Sequence, residues 1–193
     1  IINRLLKHSD GNVYAFCNRS VFKCSMNQTV ETVFPDIAIP SPTYSVAQAP
    51  DKDIYIGTES NGLYIYSENW KLKKHVPIDG IIATILPDNN GAIWLGLDET
   101  GICLFNKNKQ TFTWLHKDNT NLNNNSIRTF VSYGDSSILV GTFRGLNILN
   151  KKELTITPAN INIAGKGGLS HYSIHSMLID KDQTLWIGTY SAG

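Results

Sequence analysis

The sequence lacks the features that mark several common classes of protein. No apolar run approaches the roughly 18 residues that a membrane-spanning helix needs. The 17 Lys and Arg nearly balance the 16 Asp and Glu, which leaves a net charge of +1. Nucleic-acid and anionic-membrane binders usually carry a basic surplus, so neither kind of partner is expected. The three cysteines, Cys17, Cys24 and Cys103, have the spacing of neither a disulfide framework nor a zinc site.

Signatures of catalysis and of cofactor binding are also missing. The chain contains no nucleophile elbow, no P-loop and no zinc-enzyme motif. His171 and His175 are four residues apart, but the segment from Ile174 to Leu178 aligns with a strand, and on a strand this spacing spans about 13 Å. We therefore predict no metal site and no cofactor. Most carboxylates fall in turns, where Asp hydrogen-bonds the local backbone. A glycosidase-type pair of carboxylates stays open as an alternative.

The sequence does contain an internal repeat built around an aromatic or apolar anchor residue. The anchors recur every 39 to 47 residues and are Tyr14, Tyr55, Trp94, Leu139 and Trp186. A second apolar element precedes each anchor and reads INRLL, YSVAQA, IATIL, IRTFV and IHSML in turn. Turn signals rich in Asp, Asn and Gly separate the two elements. Such short segments, rich in β-branched and aromatic residues, predict strands rather than helices.

The period of the repeat predicts the fold. Four strands in a unit of about 40 to 45 residues is typical of a β-propeller blade, whereas solenoid units are usually shorter or helical. We therefore predict an all-β chain of four-stranded antiparallel propeller blades. The predicted repeat units are 1–42, 43–80, 81–125, 126–172 and a truncated 173–193. Propellers usually close with four to eight whole blades, so about four and a half repeats predict a fragment of a larger propeller.

A partial propeller would expose strand edges and apolar blade faces at both ends. We expect the remaining blades of the parent propeller to cover these surfaces. In isolation, the chain is expected to pair with another copy as a homodimer or to be only marginally stable. A monodisperse monomer that melts cooperatively in solution would contradict this expectation.

The repeat resembles the two-component regulator propeller repeat. The segments IATILPDNNGAIWLGLDETGICLF, from Ile82 to Phe105, and IHSMLIDKDQTLWIGT, from Ile174 to Thr189, match that family's pattern closely. The Asn-rich stretch WLHKDNTNLNNNSIRTF is similar to the family's connection between blades. The first and fourth units depart from the pattern, because Phe16 and Ser20 replace glycines and Leu139 replaces a tryptophan.

This resemblance implies a sensor. Propellers of the family usually form the extracytoplasmic part of membrane-bound hybrid histidine kinases of Bacteroidetes. They detect oligosaccharides released from glycans and switch on the genes that degrade those glycans. The resemblance thus implies a periplasmic location, an oligosaccharide ligand and a membrane link only through the parent protein.

Repetition within one chain separates residues that the fold needs from residues that can vary. Trp94, Trp186, the recurring glycines and the threonines that follow glycine in three copies are alike across the repeat and are interpreted as structural; these threonines are Thr58, Thr142 and Thr189. The hairpin tips between the second and third strands differ between copies and are exposed loops. We predict ligand-binding residues on these tips that combine aromatic surface with polar donors, namely Arg19, Asn61, Phe143, Arg144 and Tyr190. Tips that are merely solvated are the alternative.

Three functions are compatible with such a fold, because a fold alone does not select among them. The first is a non-catalytic periplasmic sensor of a glycan-derived oligosaccharide, which shifts a conformational equilibrium passed to a downstream domain. The resemblance favours this function. The second is a propeller-type carbohydrate-active enzyme domain. The third is a protein-interaction scaffold, whose partner would still bind after mutation of Arg144 and Tyr190.

Overall fold

The computed structural model describes residues 2–17, 20–25, 30–32, 41–159, 169 and 171–190. Within these ranges the chain forms strands joined by turns and bends, and it contains no helix. The described residues accordingly offer no helix that is long and apolar enough to cross a membrane. The all-β class predicted from the repeat is confirmed.

Eighteen strands follow one another along the described residues, in four groups of four and a final pair. Sheet 1 comprises β1 (Arg4–Lys7), β2 (Val13–Cys17), β3 (Ser20–Cys24) and β4 (Val30–Thr32). Sheet 2 comprises β5 (Thr43–Gln48), β6 (Ile54–Thr58), β7 (Leu63–Tyr66) and β8 (Leu72–Val76). Sheet 3 comprises β9 (Ile82–Pro87), β10 (Ala92–Leu97), β11 (Gly101–Asn106) and β12 (Thr111–Leu115). Sheet 4 comprises β13 (Ile127–Tyr133), β14 (Ser137–Thr142), β15 (Gly145–Asn150) and β16 (Ile156–Pro158), and sheet 5 comprises β17 (Ile174–Ile179) and β18 (Leu185–Thr189).

Each sheet is an antiparallel meander in which every strand pairs with the next strand along the chain. Sheets 1 to 4 have four strands, and sheet 5 has two among the described residues. One sheet falls within each predicted repeat unit. The four-stranded antiparallel blade predicted from the repeat period is therefore confirmed.

The chain divides into two compact units, residues 1–93 and residues 94–193, with the boundary inside β10. In the first unit, β5 packs beside both β1 and β9, so first strands lie next to first strands. The interior of this unit is aromatic and aliphatic. Its core cluster consists of Leu6, Tyr14, Phe16, Val21, Ile54, Ile56, Tyr64, Tyr66 and Trp70.

In the second unit, β13 packs beside β17 in the same way. Leu139, Leu146 and Ile174 form a buried cluster, against which partly buried apolar residues of sheets 4 and 5 pack. The strands of these sheets carry apolar residues on both faces, as expected where each face meets a neighbouring layer. Packing of consecutive sheets thus supplies the core of each unit.

A glycine fixed by the repeat lies where one sheet approaches the next. A Cβ atom on Gly57 would lie 2.6 Å from Cγ2 of Ile82 in β9, and one on Gly141 would lie 2.7 Å from Cγ2 of Ile174 in β17. Both distances are shorter than real Cβ contacts. Glycine is needed at these positions because the second strand of one sheet touches the first strand of the next.

The threonine that follows this glycine closes the hairpin tip. Thr142 donates its hydroxyl to the carbonyl oxygen of Gly145 at 2.9 Å and accepts the Arg144 N–H at 3.0 Å. Thr58 makes the equivalent two bonds in sheet 2. Both threonines are fully buried. The structure therefore agrees with the interpretation of the Gly-Thr pair as a structural element.

Candidate functional site

The first strand of three sheets begins with a β-bulge. The pairing register shifts by one residue at the start of β5, β13 and β17, which leaves one residue of each strand without a partner across the sheet. These bulge residues are Tyr44, Arg128 and His175. A bulge bends the strand and re-aims the side chain of the extra residue, and bulges are frequent next to functional sites.

A second set of residues lies at the same end of the same three sheets. The tip residues Glu59, Phe143 and Tyr190 directly follow the repeat threonine. Their backbone N–H groups donate to the carbonyl oxygens of Pro42, Ser126 and Ser173, each at 3.0 Å. Each acceptor stands two positions before a bulge residue. The repeat therefore holds one bulge residue and one tip residue together at the end of each sheet, here called a bulge–tip pair.

The second unit contains two bulge–tip pairs that carry cationic and aromatic side chains. The guanidinium carbon of Arg128 lies 5.9 Å from the ring centroid of Phe143, within the range of a cation–π contact. The ring of His175 lies 5.2 Å from the ring of Tyr190 at an interplanar angle of 37°. Phe143 is 46% exposed and Tyr190 is 69% exposed. Because β13 packs beside β17, the two pairs are neighbours.

Asp98 joins this group from the turn after β10. Its Oδ2 atom lies 3.1 Å from Nη1 of Arg128, and both side chains are largely buried. The contact is a single hydrogen bond rather than a two-point fork. Among the residues that the structure describes, the buried atoms Oδ1 of Asp98 and Nε of Arg128 have no hydrogen-bond partner. The ion pair thus keeps unused hydrogen-bonding capacity on both sides.

The ring of His171, in the segment before β17, also lies near the ring of Tyr190. The two ring centroids are 6.3 Å apart, and Nδ1 of His171 accepts the Ser173 N–H at 3.0 Å. Burial lowers the pKa of His175, and the nearby charges of Arg128 and His171 lower it further. Arg128 and His171 therefore lie close enough to His175 to influence its charge. We call Asp98, Arg128, Phe143, His171, His175 and Tyr190 the cationic–aromatic cluster.

The Asn-rich segment before β13 fixes the tip that carries Phe143 and Arg144. Oδ1 of Asn123 accepts the Asn147 side-chain amide at 2.8 Å and lies 2.8 Å from the Thr142 hydroxyl, whose single hydrogen is shared between Asn123 and Gly145. The amide nitrogen of Asn123 donates to the carbonyl oxygen of Arg144 at 3.1 Å. Thr142 and Asn147 are fully buried. The tip is thus held by buried side chains, while the side chains of Phe143 and Arg144 face solvent.

Asn61 belongs to the first unit, and its polar groups serve its own hairpin. Its Oδ1 atom accepts the Tyr64 hydroxyl at 2.8 Å, and its N–H donates to Thr58 at 2.9 Å. Its carbonyl oxygen lies 2.7 Å from Nε2 of His75. These contacts give Asn61 a structural role in the tip. Its predicted role in ligand binding stays a prediction.

The bulge–tip pair of sheet 2 has different chemistry from the pairs in the second unit. The Arg4 guanidinium lies 5.7 Å from the centroid of the Tyr44 ring, and Arg4, Tyr44 and Glu59 line one shallow pocket with Asn3, Pro42 and Thr43. The pocket carries an acidic tip residue, where the second unit carries aromatic ones. The same backbone frame thus presents different side chains in different sheets.

Only some of the predicted site residues therefore lie together in the structure. Phe143 and Tyr190 belong to neighbouring bulge–tip pairs, and Arg144 follows Phe143 on the same tip. Asn61 lies in the other unit, and Arg19 lies outside the described residues. The sequence analysis missed the bulge residues Arg128 and His175. A signal was available, because they occupy the second position of the aligned elements IRTFV and IHSML, where the copies differ.

In the part of the chain that the structure describes, no three His, Cys, Asp or Glu side chains converge as metal ligands would. The turn carboxylates serve the local backbone instead. Oδ1 of Asp180 accepts the N–H groups of Asp182 and Thr184, each at 2.9 Å, and its Oδ2 accepts Nε1 of Trp186 at 2.6 Å.

Comparison with known families gives a match over the segment that contains sheet 5. Residues 168–191 match the family model described as two component regulator propeller. This segment is thus similar to one two component regulator propeller repeat. The matched segment contains β17, β18 and the Tyr190 tip, so it includes one complete bulge–tip pair. The resemblance noted in the sequence is confirmed there. No curated protein matches the chain at a significant level.

Several solved structures have a fold similar to that of most or all of this chain. One is the extracellular domain assigned to a hybrid two component system of B. thetaiotaomicron, at 24% identity and a TM-score of 0.76, with 100% of this chain and 26% of that chain covered. Another is the extracellular domain assigned to a one component system of B. thetaiotaomicron, at 20% identity and a TM-score of 0.79, with 98% and 25% covered. The WD40 repeats of RRP9 are also similar, at 9% identity and a TM-score of 0.65, with 84% and 53% covered.

These likenesses establish the fold. The sheets described here are β-propeller blades, as the repeat period predicted. The chain spans about a quarter of the length of the two extracellular domains. At these low identities, the ligands and signalling roles of those proteins are not transferred by structural likeness.

Proposed function

We propose that this chain is part of an extracytoplasmic sensor of two-component signal transduction, and that it binds a glycan-derived oligosaccharide without catalysis. The observation that carries the proposal is the bulge–tip pair. One backbone frame, fixed by the repeat, holds Tyr44 with Glu59, Arg128 with Phe143, and His175 with Tyr190. A constant frame with variable side chains is the arrangement expected of a recognition surface on a repeat protein.

The side chains of the second unit suit a sugar. Phe143 and Tyr190 offer exposed rings, and pyranose rings present apolar C–H faces that pack on aromatic surface. Arg128 and His175 stand beside these rings and offer N–H groups to sugar hydroxyls. Apolar surface with a few converging polar groups is the usual composition of a small-ligand site.

The family repeat supports the signalling part of the proposal. Residues 168–191 match the two component regulator propeller, and extracellular domains assigned to one and two component systems share the fold. We propose a periplasmic location for this chain, with any membrane link supplied by the parent protein. Ligand binding would favour one of two arrangements of the propeller, and the parent protein would transmit that shift.

The test is a binding screen with matched aromatic variants. The chain should bind at least one oligosaccharide from a glycan library, measured by titration calorimetry. Phe143→Ala or Tyr190→Ala should weaken binding about tenfold or more, because each removes stacking surface. Tyr133→Ala is the control, since Tyr133 is a similarly exposed ring at the opposite end of β13. If Tyr133→Ala weakens binding as much as the tip variants do, the proposed site is wrong.

Two further measurements separate the sensor from the enzyme and scaffold alternatives. The bound oligosaccharide should be recovered uncleaved after prolonged incubation, as judged by chromatography. In the complete protein, the tip variants should abolish oligosaccharide-dependent reporter expression and leave the amount of protein unchanged. Cleavage that is lost on replacement of one or two carboxylates would favour an enzyme. Reporter expression that ignores the tip variants would favour a scaffold.

A second proposal concerns the partner of sheet 5. Leu178 and Trp186 face each other across β17 and β18 and are 61% and 60% exposed. The residues at the Trp186 position in sheets 3 and 4, Trp94 and Leu139, are buried. We propose that a further blade of the parent propeller covers the Leu178–Trp186 surface. In isolation, two copies of the chain would cover it by forming a homodimer. Light scattering should then show a dimer that Trp186→Glu converts to monomer, whereas a stable wild-type monomer would argue against this surface.

A further inference from the structure

We infer that the cationic–aromatic cluster of the second unit recognises a sugar that carries a negative charge, a carboxylate or a sulfate. This inference rests on the proposed oligosaccharide-binding function and specifies the class of ligand. It concerns a single surface formed by the end of sheet 3, the bulge–tip pairs of sheets 4 and 5, and the segment that carries His171.

The cationic–aromatic cluster contains more basic side chains than acidic ones. Three of its six side chains, those of Arg128, His171 and His175, are cationic or can become so, and Asp98 is its one carboxylate. Arg144 adds another exposed cation on the Phe143 tip. Asp98 offsets Arg128 through a single hydrogen bond, so no acid in the cluster offsets the two histidines.

The response of His175 shows the sign of the local field. The charges of Arg128 and His171 oppose protonation of its ring and add to the effect of burial. Burial is the larger cause of the lowered pKa of His175, and only the smaller contribution of the two neighbouring charges indicates positive potential at the ring. An anionic ligand group placed beside His175 would reverse that effect, whereas an uncharged hydroxyl would not.

The Asp98–Arg128 ion pair gives a second reason to expect an anionic ligand group. Among the described residues, Nε of Arg128 has no acceptor and Oδ1 of Asp98 has no donor. Both atoms are buried, so a ligand cannot reach them directly, but 23% of the Arg128 side chain and 20% of the Asp98 side chain are exposed and can meet a ligand there. A carboxylate or sulfate is the strongest partner for a guanidinium, and a neighbouring sugar hydroxyl can donate to Asp98.

The aromatic rings explain why the ligand is a sugar rather than a simple anion. Phe143 stands beside Arg128, and Tyr190 stands beside both histidines. Both rings are exposed, so a ring-shaped ligand can lie on them while its charged substituent reaches the cations. An inorganic anion would use none of this apolar surface.

The experiment compares three probes of equal length on the purified chain by titration calorimetry. They are an oligogalacturonate, a sulfated galacto-oligosaccharide and an uncharged galacto-oligosaccharide. At least one acidic probe should bind about tenfold or more tightly than the uncharged probe, and added salt should reduce this advantage. Which acidic probe binds better distinguishes a carboxylate from a sulfate.

Two substitutions test the residues that the inference names. Arg128→Gln should weaken binding of the acidic probe about tenfold or more, because it removes the cation at the site. Asp98→Asn should instead strengthen binding of the acidic probe severalfold, because it removes the competing carboxylate. A purely structural role of the ion pair predicts weaker binding in both variants. Lys109→Gln is the charge-matched control, since Lys109 lies on the β11–β12 turn at the opposite end of sheet 3 from Asp98.

The possible failures are distinguishable. If the uncharged probe binds as tightly as the acidic probes, the inference is overturned and the proposed oligosaccharide sensor stands. If none of a full oligosaccharide library binds, the proposed function fails with it. If Arg128→Gln does not fold, Asp98→Asn still decides, because weaker or unchanged binding of the acidic probe in that variant contradicts the assigned role of Arg128.

Discussion

Trp94 in sheet 3 and Trp186 in sheet 5 stand at the same position of the repeat, but their surroundings differ. Trp94 is 1% exposed, whereas Trp186 is 60% exposed. Sheet 3 has four strands, and sheet 5 has two among the described residues. The comparison teaches that the repeat specifies the backbone position of a residue, whereas its burial depends on what packs against that sheet.

The two tryptophans also differ in their polar atoms. Nε1 of Trp186 donates to Asp180 in the preceding turn. Nε1 of Trp94 is buried and has no hydrogen-bond partner among the described residues. The contact of Trp186 is therefore local, and its contribution to stability should be small. The contribution of Trp94 should come from burial of its ring.

The largest expected effect is on the free energy of unfolding when each tryptophan is removed. Trp94→Ala should cost about 3–5 kcal/mol, because it leaves a large cavity in a packed interior. At concentrations low enough to dissociate the proposed dimer, Trp186→Ala should cost less than about 1 kcal/mol, because an exposed ring loses little burial. Chemical denaturation of both variants measures the difference. Equal losses would show that Trp186 is covered in solution, which would break the comparison and support the proposed dimer.

A smaller difference is expected at the glycine that precedes the repeat threonine. A Cβ atom on Gly141 would meet methyl carbons of Ile174 and Thr129, each at 2.7 Å, and the buried Ile174 has little room to move. Gly141→Ala should therefore destabilise the chain by about 1–3 kcal/mol.

Gly188→Ala is the matched variant in sheet 5 and should cost about 0.5 kcal/mol or less. Its Cβ atom would meet only Ser176, an exposed residue whose hydroxyl can rotate away. Thermal unfolding of the two variants side by side provides the measurement. A larger loss for Gly188→Ala than for Gly141→Ala would contradict the view that sheet 5 is less tightly packed.

The bulge residue of sheet 5 should make the free energy of unfolding depend on pH, whereas the bulge residue of sheet 4 should not. Burial, followed by the charges of Arg128 and His171, lowers the pKa of His175 in the folded chain. The unfolded chain therefore binds the proton more tightly, and stability should fall as the pH drops below the usual histidine pKa of about 6.5.

Denaturation between about pH 7.5 and pH 5 measures this loss, and His175→Gln should reduce it. His171→Gln tests the neighbouring charge in the same way. Sheet 4 carries an arginine rather than a histidine at its bulge, so it has no equivalent group to compare. A wild-type stability that rises on acidification in this range would contradict the predicted sign.

The smallest expected effect concerns the carboxyl group of Asp180. The hydrogen bond from Trp186, followed by that from the Thr184 backbone, lowers the pKa of Asp180. Trp186→Phe removes the first bond, so the pKa of Asp180 measured by NMR should move back towards its ordinary value. Trp114→Phe is the control and should leave the pKa of Asp180 unchanged. No change in Trp186→Phe would show that the bond does not form in solution.

Much of the fold could be predicted because it depends on local properties. The five anchors marked five second strands, and each lies in a sheet of the predicted kind. Gly57, Gly141 and the threonines after them were interpreted as structural, and their close contacts and buried hydrogen bonds agree. The sequence therefore specified the strands and the hairpins of each blade.

The candidate site was only partly predictable. Phe143, Arg144 and Tyr190 followed from their exposed tips, but Arg128 and His175 did not, because they stand at the start of strands that otherwise read as core. A bulge moves these side chains to the edge of the sheet, which the apolar pattern of the strands does not reveal, although the copies differ at that position. Asn61 was predicted on the same grounds as Phe143, yet its side chain supports its own hairpin.

The sequence by itself determined the repeat, the strand character of its elements and the residues that close each tip, since these follow from backbone preferences that act within a few residues. Tertiary structure alone decided that Asp98 pairs with Arg128 across 30 positions of sequence and that His171, His175 and Tyr190 share one surface. It also decided that Trp94 is buried while Trp186 is exposed. The physical reason is that side-chain contacts and burial depend on how neighbouring sheets pack, which the letters of a single repeat do not contain.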